Sequence, residues 1–292
     1  MAFHSGLEHI VREQELLTRY TWLRIGGPAQ YFAEPTNLDE LATLVRRCRE
    51  QELAVRLLGG GSNLLVRDEG VPGLVIHLSA APFCVVSVRD GVLSAGGGAK
   101  LSHLISNAVR EGLAGIEQLA GIPGTVGGAL HGNASCHGAD IGQCASTATL
   151  LTHNGEIVTR RREELVFSYR GSSLDEFAIL DVQFALEPAD ALDVTKRMQK
   201  LWIVNRASQP LSNQNAGMIF KDHGGVSAAS LIEEAGLRAT RMGRAELSDR
   251  NANYVVVQPG APAGDVQKLI EHVRERVAQR LGVDLEIALE VW

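Results

Sequence analysis

Two stretches decide the reading: Leu58-Gly59-Gly60-Gly61-Ser62-Asn63-Leu64 and Gly121-Ile122-Pro123-Gly124-Thr125-Val126-Gly127-Gly128-Ala129. Glycine lets successive backbone N–H groups turn toward a ligand in conformations that a Cβ blocks. Several such amides in a row form a concave anion site suited to a pyrophosphate. A third cluster, Arg24-Ile25-Gly26-Gly27-Pro28-Ala29, precedes them. Neither the Gly-x-x-x-x-Gly-Lys-Ser/Thr loop of an NTPase nor a Gly-x-Gly-x-x-Gly turn opening a helix occurs. One Gly-Gly pair is explained by a tight turn. Three clusters interleaved with Ser, Thr and Asn point to a large phosphorylated cofactor.

The glycines are unevenly spread, 21 of 31 falling in residues 1–142. Lys plus Arg is 28 against 34 for Asp plus Glu, a net charge of −6, which excludes a general electrostatic grip on nucleic acid or anionic lipid. The charge-free run Gln118–Ala139 is long enough to cross a bilayer, but Pro123, six glycines and Asn133 rule that out. Met1–Glu8 carries neither a basic nor an apolar leader segment. Four cysteines in 292 residues are no disulfide framework. A reduced, cytoplasmic protein is expected, a monomer with neither nucleic acid nor membrane as partner.

Hydrophobic spacing gives an α+β plan. Asn37 caps a helix carrying Leu38, Leu41, Ala42, Val45 and Cys48, with Glu40 completing a capping box. Strands are expected at Val55–Leu58 and Leu74–Leu78, an amphipathic helix along Leu101, Leu104, Ile105 and Ala108, and alternating β structure across 145–186. The polar segment Asn205–Asn215 reads as a junction. Beyond it come a short helix at Ala228–Ala235 stopped by Gly236, a strand at Tyr254–Gln258, a long helix ending before Gly282, and a final alternating strand over 285–291. The division is 1–204, in two parts at about 1–79 and 80–204, followed by 205–292. His131, Cys136, His137 and Cys144 lie close together, but their spacing matches no common zinc module and no metal is expected.

Taken together, the strings resemble one family. Thr21-Trp22-Leu23-Arg24-Ile25-Gly26-Gly27-Pro28-Ala29, Leu58–Val66 and Gly121–Ala129 with His131-Gly132-Asn133-Ala134 are similar to three motifs of UDP-N-acetylenolpyruvoylglucosamine reductase (MurB). The resemblance runs from about Thr21 to Glu286 and fits the shorter of the family's two types. It implies a bipartite FAD-binding region of the PCMH type, followed by a smaller α+β substrate-binding domain. It places non-covalent FAD against Arg24, the Gly59, Gly60, Gly61, Ser62, Asn63, Leu64 loop, Gly97 and Gly98. The same cofactor is implied at Gly121, Gly124, Thr125, Gly128, Ala129, Asn133 and Arg206. NADPH is the implied hydride donor and a UDP-sugar the implied substrate.

In the family, hydride passes from NADPH through the flavin to C3 of an enolpyruvyl group, and C2 gains a proton. An Arg and a Glu meet the developing negative charge, as preorganised groups should, while a Ser or Cys donates the proton. Tyr169-Arg170-Gly171-Ser172 matches the family's Tyr-Arg-x-Ser string, so Arg170 is the implied catalytic Arg, with Tyr169 on the substrate. The Ala-Gly-Ser/Cys-x-Phe-Lys-Asn-Pro string reads Ala216-Gly217-Met218-Ile219-Phe220-Lys221-Asp222-His223. Met218 therefore stands at the proton donor's position, and a thioether carries no transferable proton. The family's Leu-Glu-x-Glu-Val reads Leu285-Glu286-Ile287-Ala288-Leu289. Glu290 lies about 6.5–7 Å further along a strand. Either a register shift brings Glu290 into place or the Glu is missing. Lys221, Arg238 and Asn251 are implied substrate contacts, with Asn253 in the same stretch. The implied function is the FAD-dependent reductase of peptidoglycan precursor synthesis. The alternative is an impaired relative that binds FAD and UDP-sugar or NADPH without completing the reduction.

Overall fold

A computed structural model describes residues 2–136, 138–210 and 215–292. The chain forms two compact units that are not contiguous in sequence. The first is Met1–Gln14, Gln30–Gly60 and Pro72–Asn205; the second is Glu15–Ala29, Gly61–Val71 and Arg206–Trp292.

The first unit holds two sheets. One is four-stranded, in the order Val11–Leu16, Pro28–Ala33, Val71–His77, Val55–Leu58, its last two strands parallel. A crossover between parallel strands is usually a helix, but here helix Leu38–Glu50 precedes both strands and packs Leu41, Leu44, Val45 and Cys48 onto the sheet. Asn37 caps that helix, its side chain accepting from the Glu40 N–H at 3.0 Å. The Glu40 carboxylate turns instead to the N–H and hydroxyl of Thr36, one residue before the cap, so the expected box closes one step early.

The other sheet has five antiparallel strands in the order Ile157–Arg161, Ala145–Leu151, Ala178–Phe184, Val92–Gly96, Val86–Arg89. Leu101, Leu104, Ile105 and Ala108 of helix Leu101–Arg110, with Val126 and Leu130 of helix Val126–His131, form a core against it.

The expected junction Asn205–Asn215 begins inside a helix that sequence spacing did not mark, Ala191–Ala207, which carries through Asn205 and Arg206. Only Val194 and Asn205 on it are buried, while Leu192, Trp202, Ile203 and Val204 are exposed. An apolar period that faces water gives no amphipathic signal. Leu211, Ser212, Asn213 and Gln214 of the expected junction lie outside the described residues.

The second unit is a four-stranded antiparallel sheet, Asn215–Met218, Tyr254–Val257, Ala245–Leu247, Arg241–Met242. Helices Ala228–Glu234 and Ala263–Leu281 bury Leu231, Ile232, Val266, Leu269, Ile270 and Val273 against it. Gly282 closes the long helix in a left-handed conformation, φ 69°.

The early segment Gly61–Val71 belongs to this unit because it is bonded there. Leu64–Leu65 pairs in parallel with Glu290–Val291, and Asp68 accepts from the N–H of Ala263 at 2.9 Å, at the start of the long helix. The final strand is not continuous as expected. Ile287 bridges Phe220, then the N–H groups of Ala288 and Leu289 both reach the Ile219 carbonyl, at 2.7 and 3.3 Å. Two residues facing one is a β-bulge, and past it the chain changes partner to 64–65.

Candidate active site

In the first unit the chain leaves strand Val55–Leu58 at Gly59–Gly60 and meets Gly124–Thr125. A Cβ on Gly60 would stand 2.8 Å from Gly124 Cα, and one on Gly59 2.8 Å from Thr125 Oγ1. The two loops approach backbone to backbone because neither carries a side chain there. Among the described residues no protein group accepts from the N–H of Gly59, Gly60, Gly124 or Thr125. Such a set of neighbouring, unshared backbone donors fits the diphosphate of a dinucleotide. Thr125 also caps helix Val126–His131, its hydroxyl accepting from Gly128 at 3.4 Å, and the Ala129 N–H is held inside that helix by the Thr125 carbonyl.

Gly97 and Gly98 act differently. Their N–H groups go to the carbonyls of Leu180 and Phe83, and the Gly97 carbonyl accepts from Gly127. They tie the glycine-rich helix to the five-stranded sheet rather than offering donors. Beside them Asp181 pairs with Gly96 across the sheet, and burial pushes its carboxyl up to about 6. Gly121 is left-handed, φ 95°, and packs on Asn205, which sequence reading passed over. Asn205 is buried, donates to the Ala120 carbonyl at 2.6 Å and accepts from Cys136 Sγ at 3.4 Å. Its only sequence signal is a carboxamide among apolar helical residues.

Tyr169 and Arg170 form the tip of a hairpin in which Phe167–Ser168 pairs with Gly171–Ser172. Arg170 adopts a left-handed backbone, φ 59°, where glycine or asparagine is favoured. Its guanidinium carbon stands 5.7 Å from the Tyr169 ring centroid. Asn133, itself left-handed, is buried beside this hairpin and its amide is bonded to Ser168 and Gly142. His131 Nδ1 lies 3.0 Å from the Leu174 carbonyl. His137 lies outside the described residues, among which no three His, Cys, Asp or Glu side chains form a metal-sized group.

In the second unit Met218 faces Tyr254 across the sheet. Lys221 continues the same run, its N–H donating to the Glu286 carbonyl and its ammonium paired with the Glu286 carboxylate. Asn63, the end of the first glycine loop, reaches the strand that holds the Glu question. Its Nδ2 donates to the Ala288 carbonyl at 2.7 Å and its own carbonyl accepts from the Glu290 N–H. The Glu290 carboxylate is exposed and takes the Trp292 indole N–H at 2.8 Å. Gly61 stands by Tyr20 and Thr21, with the Trp22 N–H on its carbonyl. Ser62 is half-buried beside it and Leu64 is buried. Arg24 is left-handed, φ 52°, and its N–H reaches the Thr21 hydroxyl.

Arg238 is exposed and donates to the Asp249 carbonyl at 2.9 Å, two residues from Asn251. Asn251 caps its own turn, its Oδ1 accepting from Asn253. Asn253 is buried, and its amide bonds both the N–H and the carbonyl of Phe220, at 2.9 and 2.8 Å. Asp222 accepts the Ala228 N–H at the start of helix Ala228–Glu234, whose N-cap is Ser227, and His223 stands on a tight Gly224-Gly225 turn. Arg206 is half-buried near the end of helix Ala191–Ala207.

Residues 209–292 match the family described as UDP-N-acetylenolpyruvoylglucosamine reductase, C-terminal domain, and residues 29–160 match the FAD binding domain family. A UDP-N-acetylenolpyruvoylglucosamine reductase of Rhodopirellula baltica is 41% identical over 290 residues, covering 99% of this chain and 95% of that one. One from Symbiobacterium thermophilum is 40% identical, covering 97% and 92%. The crystal structure of the reductase (MurB) from Thermus caldophilus superposes with a TM-score of 0.83 at 35% identity, covering 97% of this chain and 99% of that one. The fold is thus an FAD-binding region of the PCMH type with the family's C-terminal domain, and the chain belongs to the UDP-N-acetylenolpyruvoylglucosamine reductase family.

Proposed function

We propose that this protein is an FAD-dependent oxidoreductase that uses NADPH to reduce UDP-N-acetylenolpyruvoylglucosamine to UDP-N-acetylmuramate in peptidoglycan precursor synthesis, acting as a cytoplasmic monomer. The observation that carries the reading is the cradle of unshared backbone donors at Gly59–Gly60 and Gly124–Thr125, in a chain aligned over nearly its whole length with reductases. FAD, when bound, supplies the hydride relay from NADPH to the enolpyruvyl C3.

The remaining work falls to side chains. The Arg170 guanidinium, fixed on a left-handed tip, meets the negative charge that develops toward the enolpyruvyl carboxylate. Tyr169, Lys221, Arg238 and Asn251 recognise the UDP-sugar. Arg238 replaces the family's Lys, and its forked guanidinium suits a diphosphate. Met218 holds no transferable proton, so C2 is protonated from elsewhere. Glu290, exposed and taking the Trp292 indole N–H, is the acid this chain carries two residues beyond Ala288, past the bulge. A second reading rests on Met218 and Ala288: a flavoprotein that accepts electrons from NADPH and stops.

The test is anaerobic. The flavin-loaded protein is reduced with NADPH, the enolpyruvyl substrate is added, and return of the oxidised flavin band is followed. Reoxidation within turnover time, slowed about 10²-fold by Glu290→Gln, is the expected result. Flavin that stays reduced, and is reoxidised only after Met218→Ser plus Ala288→Glu, overturns the reading in favour of the second. A purified protein without flavin overturns both.

A further inference from the structure

We propose that Asn133 is a positioning residue for Arg170, holding the hairpin tip in its left-handed turn. The inference rests on the reading of Arg170 given above, but it is carried by separate contacts. Asn133 is 5% exposed, and both ends of its carboxamide are engaged. Nδ2 donates to the Ser168 carbonyl at 2.9 Å, and Oδ1 accepts from the Gly142 N–H at 3.1 Å. Ser168 is the last paired residue before Tyr169 and Arg170.

The anchor is therefore one residue from the tip, and its other end is fixed to a buried backbone amide. The hairpin itself has only two paired positions, and a two-stranded ribbon of that size has no stability alone. Its first strand is seated by Phe167 on Gly142, where a Cβ would overlap the ring. Its second is held by Ser172 Oγ, which donates to the His131 carbonyl at 2.8 Å, two residues before Asn133. A side chain with φ 59° at position 170 resists its own turn at a cost of about 1 kcal/mol or more. Braces on both sides are what keep that conformation populated. Asn133 is the brace that reaches the hairpin through a side chain, so it can be altered without moving backbone. Its own φ of 42° suits asparagine and is relieved, not strained, by glycine.

The test uses flavin-loaded enzyme and the variants Asn133→Asp, Arg170→Ala and their combination. Asn133→Asp keeps the acceptor for Gly142 and loses the donor to Ser168. The expected outcome is an approximately tenfold slower reoxidation by the enolpyruvyl substrate, a larger change than any in the rate of flavin reduction by NADPH. In the Arg170→Ala background Asn133→Asp is expected to add nothing. Hydrogen exchange in the same holoenzyme reads the hairpin without turnover: the Ser173 N–H, bonded to Val166 at 2.9 Å, exchanges about tenfold faster, while strand Ala178–Phe184 keeps its protection. Unchanged exchange at Ser173, or an additive loss in the double variant, overturns the inference. If Asn133→Asp fails to retain flavin, Asn133→Gly replaces it with the same expectations. Wild-type reoxidation by Arg170→Ala refutes the role of Arg170 instead, and the exchange result then decides on its own whether Asn133 holds the turn.

Discussion

Asn253 gives the sharpest stability prediction. Its carboxamide imitates a strand residue for Phe220, accepting the N–H and donating to the carbonyl, while its own backbone carbonyl takes the Ile219 N–H. At 5% exposure, no water replaces it. Asn253→Ala leaves two buried backbone groups without partners, each worth about 1–3 kcal/mol, and removes some packed volume. A loss of about 3–4 kcal/mol follows, of the size that lowers the urea midpoint without altering the slope. Asn251→Ala, which removes one turn cap at a half-buried site, is the control, with a loss of about 1 kcal/mol. The assay is urea unfolding followed by far-ultraviolet dichroism and by the fluorescence of Trp292, the buried indole of the second unit. A loss below about 1 kcal/mol for Asn253→Ala, together with weakened UDP-sugar binding, would refute the bracing role and make Asn253 a ligand contact.

Three further outcomes are expected. Asp181 has its carboxyl raised by burial from 3.8 to about 6; the folded state holds that proton more tightly, so stability falls as pH rises through this window and is level above it. The shift corresponds to at most about 3 kcal/mol, reduced by partial solvent access to on the order of 1 kcal/mol, and Asp181→Asn should flatten the slope in denaturation midpoints measured from acid to neutral pH. Asp68→Ala removes the caps on Ala263 and Gly264 of a 19-residue helix; because Asp68 is exposed, about 1 kcal/mol and a drop of about 2–4 °C in Tm are expected by calorimetry. Ala239 has φ 57°, and Ala239→Gly trades about 1–2 kcal/mol of left-handed strain against less than 1 kcal/mol of chain entropy, so it should raise the melting temperature slightly.

Much of the local structure was legible because local chemistry writes it. Asn37 before a 3.6-residue period, Gly282 after one, and the apolar run Val55–Leu58 each state their own element. The glycine loops likewise marked a close approach of backbone, since only bare backbone allows Gly60 to meet Gly124. What stayed hidden depends on partners distant in sequence. Helix Ala191–Ala207 turns its apolar side chains outward, so no period betrays it. The bulge at Ala288–Leu289 exists because the last strand exchanges residues 219–221 for 64–65, and no spacing within 285–291 contains that exchange. Asn133 and Asn253 sat in stretches read as ligand-facing. Their side-chain bonds run to Ser168 and Phe220, over 30 residues away in each case.

The parallel pairing of Leu64–Leu65 with Glu290–Val291 has a kinetic consequence. Asn63 and Ala288 are 225 residues apart, and closing such a loop costs about 2 kcal/mol more than closing one of 20 residues. The exit of the first glycine loop is thus expected to be organised late, after the five-stranded sheet, whose longest-range pairing runs between 92–96 and 178–184. Refolding should show a slow step that Val291→Ala retards and Val182→Ala does not. Until that step is complete, Asn63 and the residues leading from it lack the partners at 288–291 that hold them.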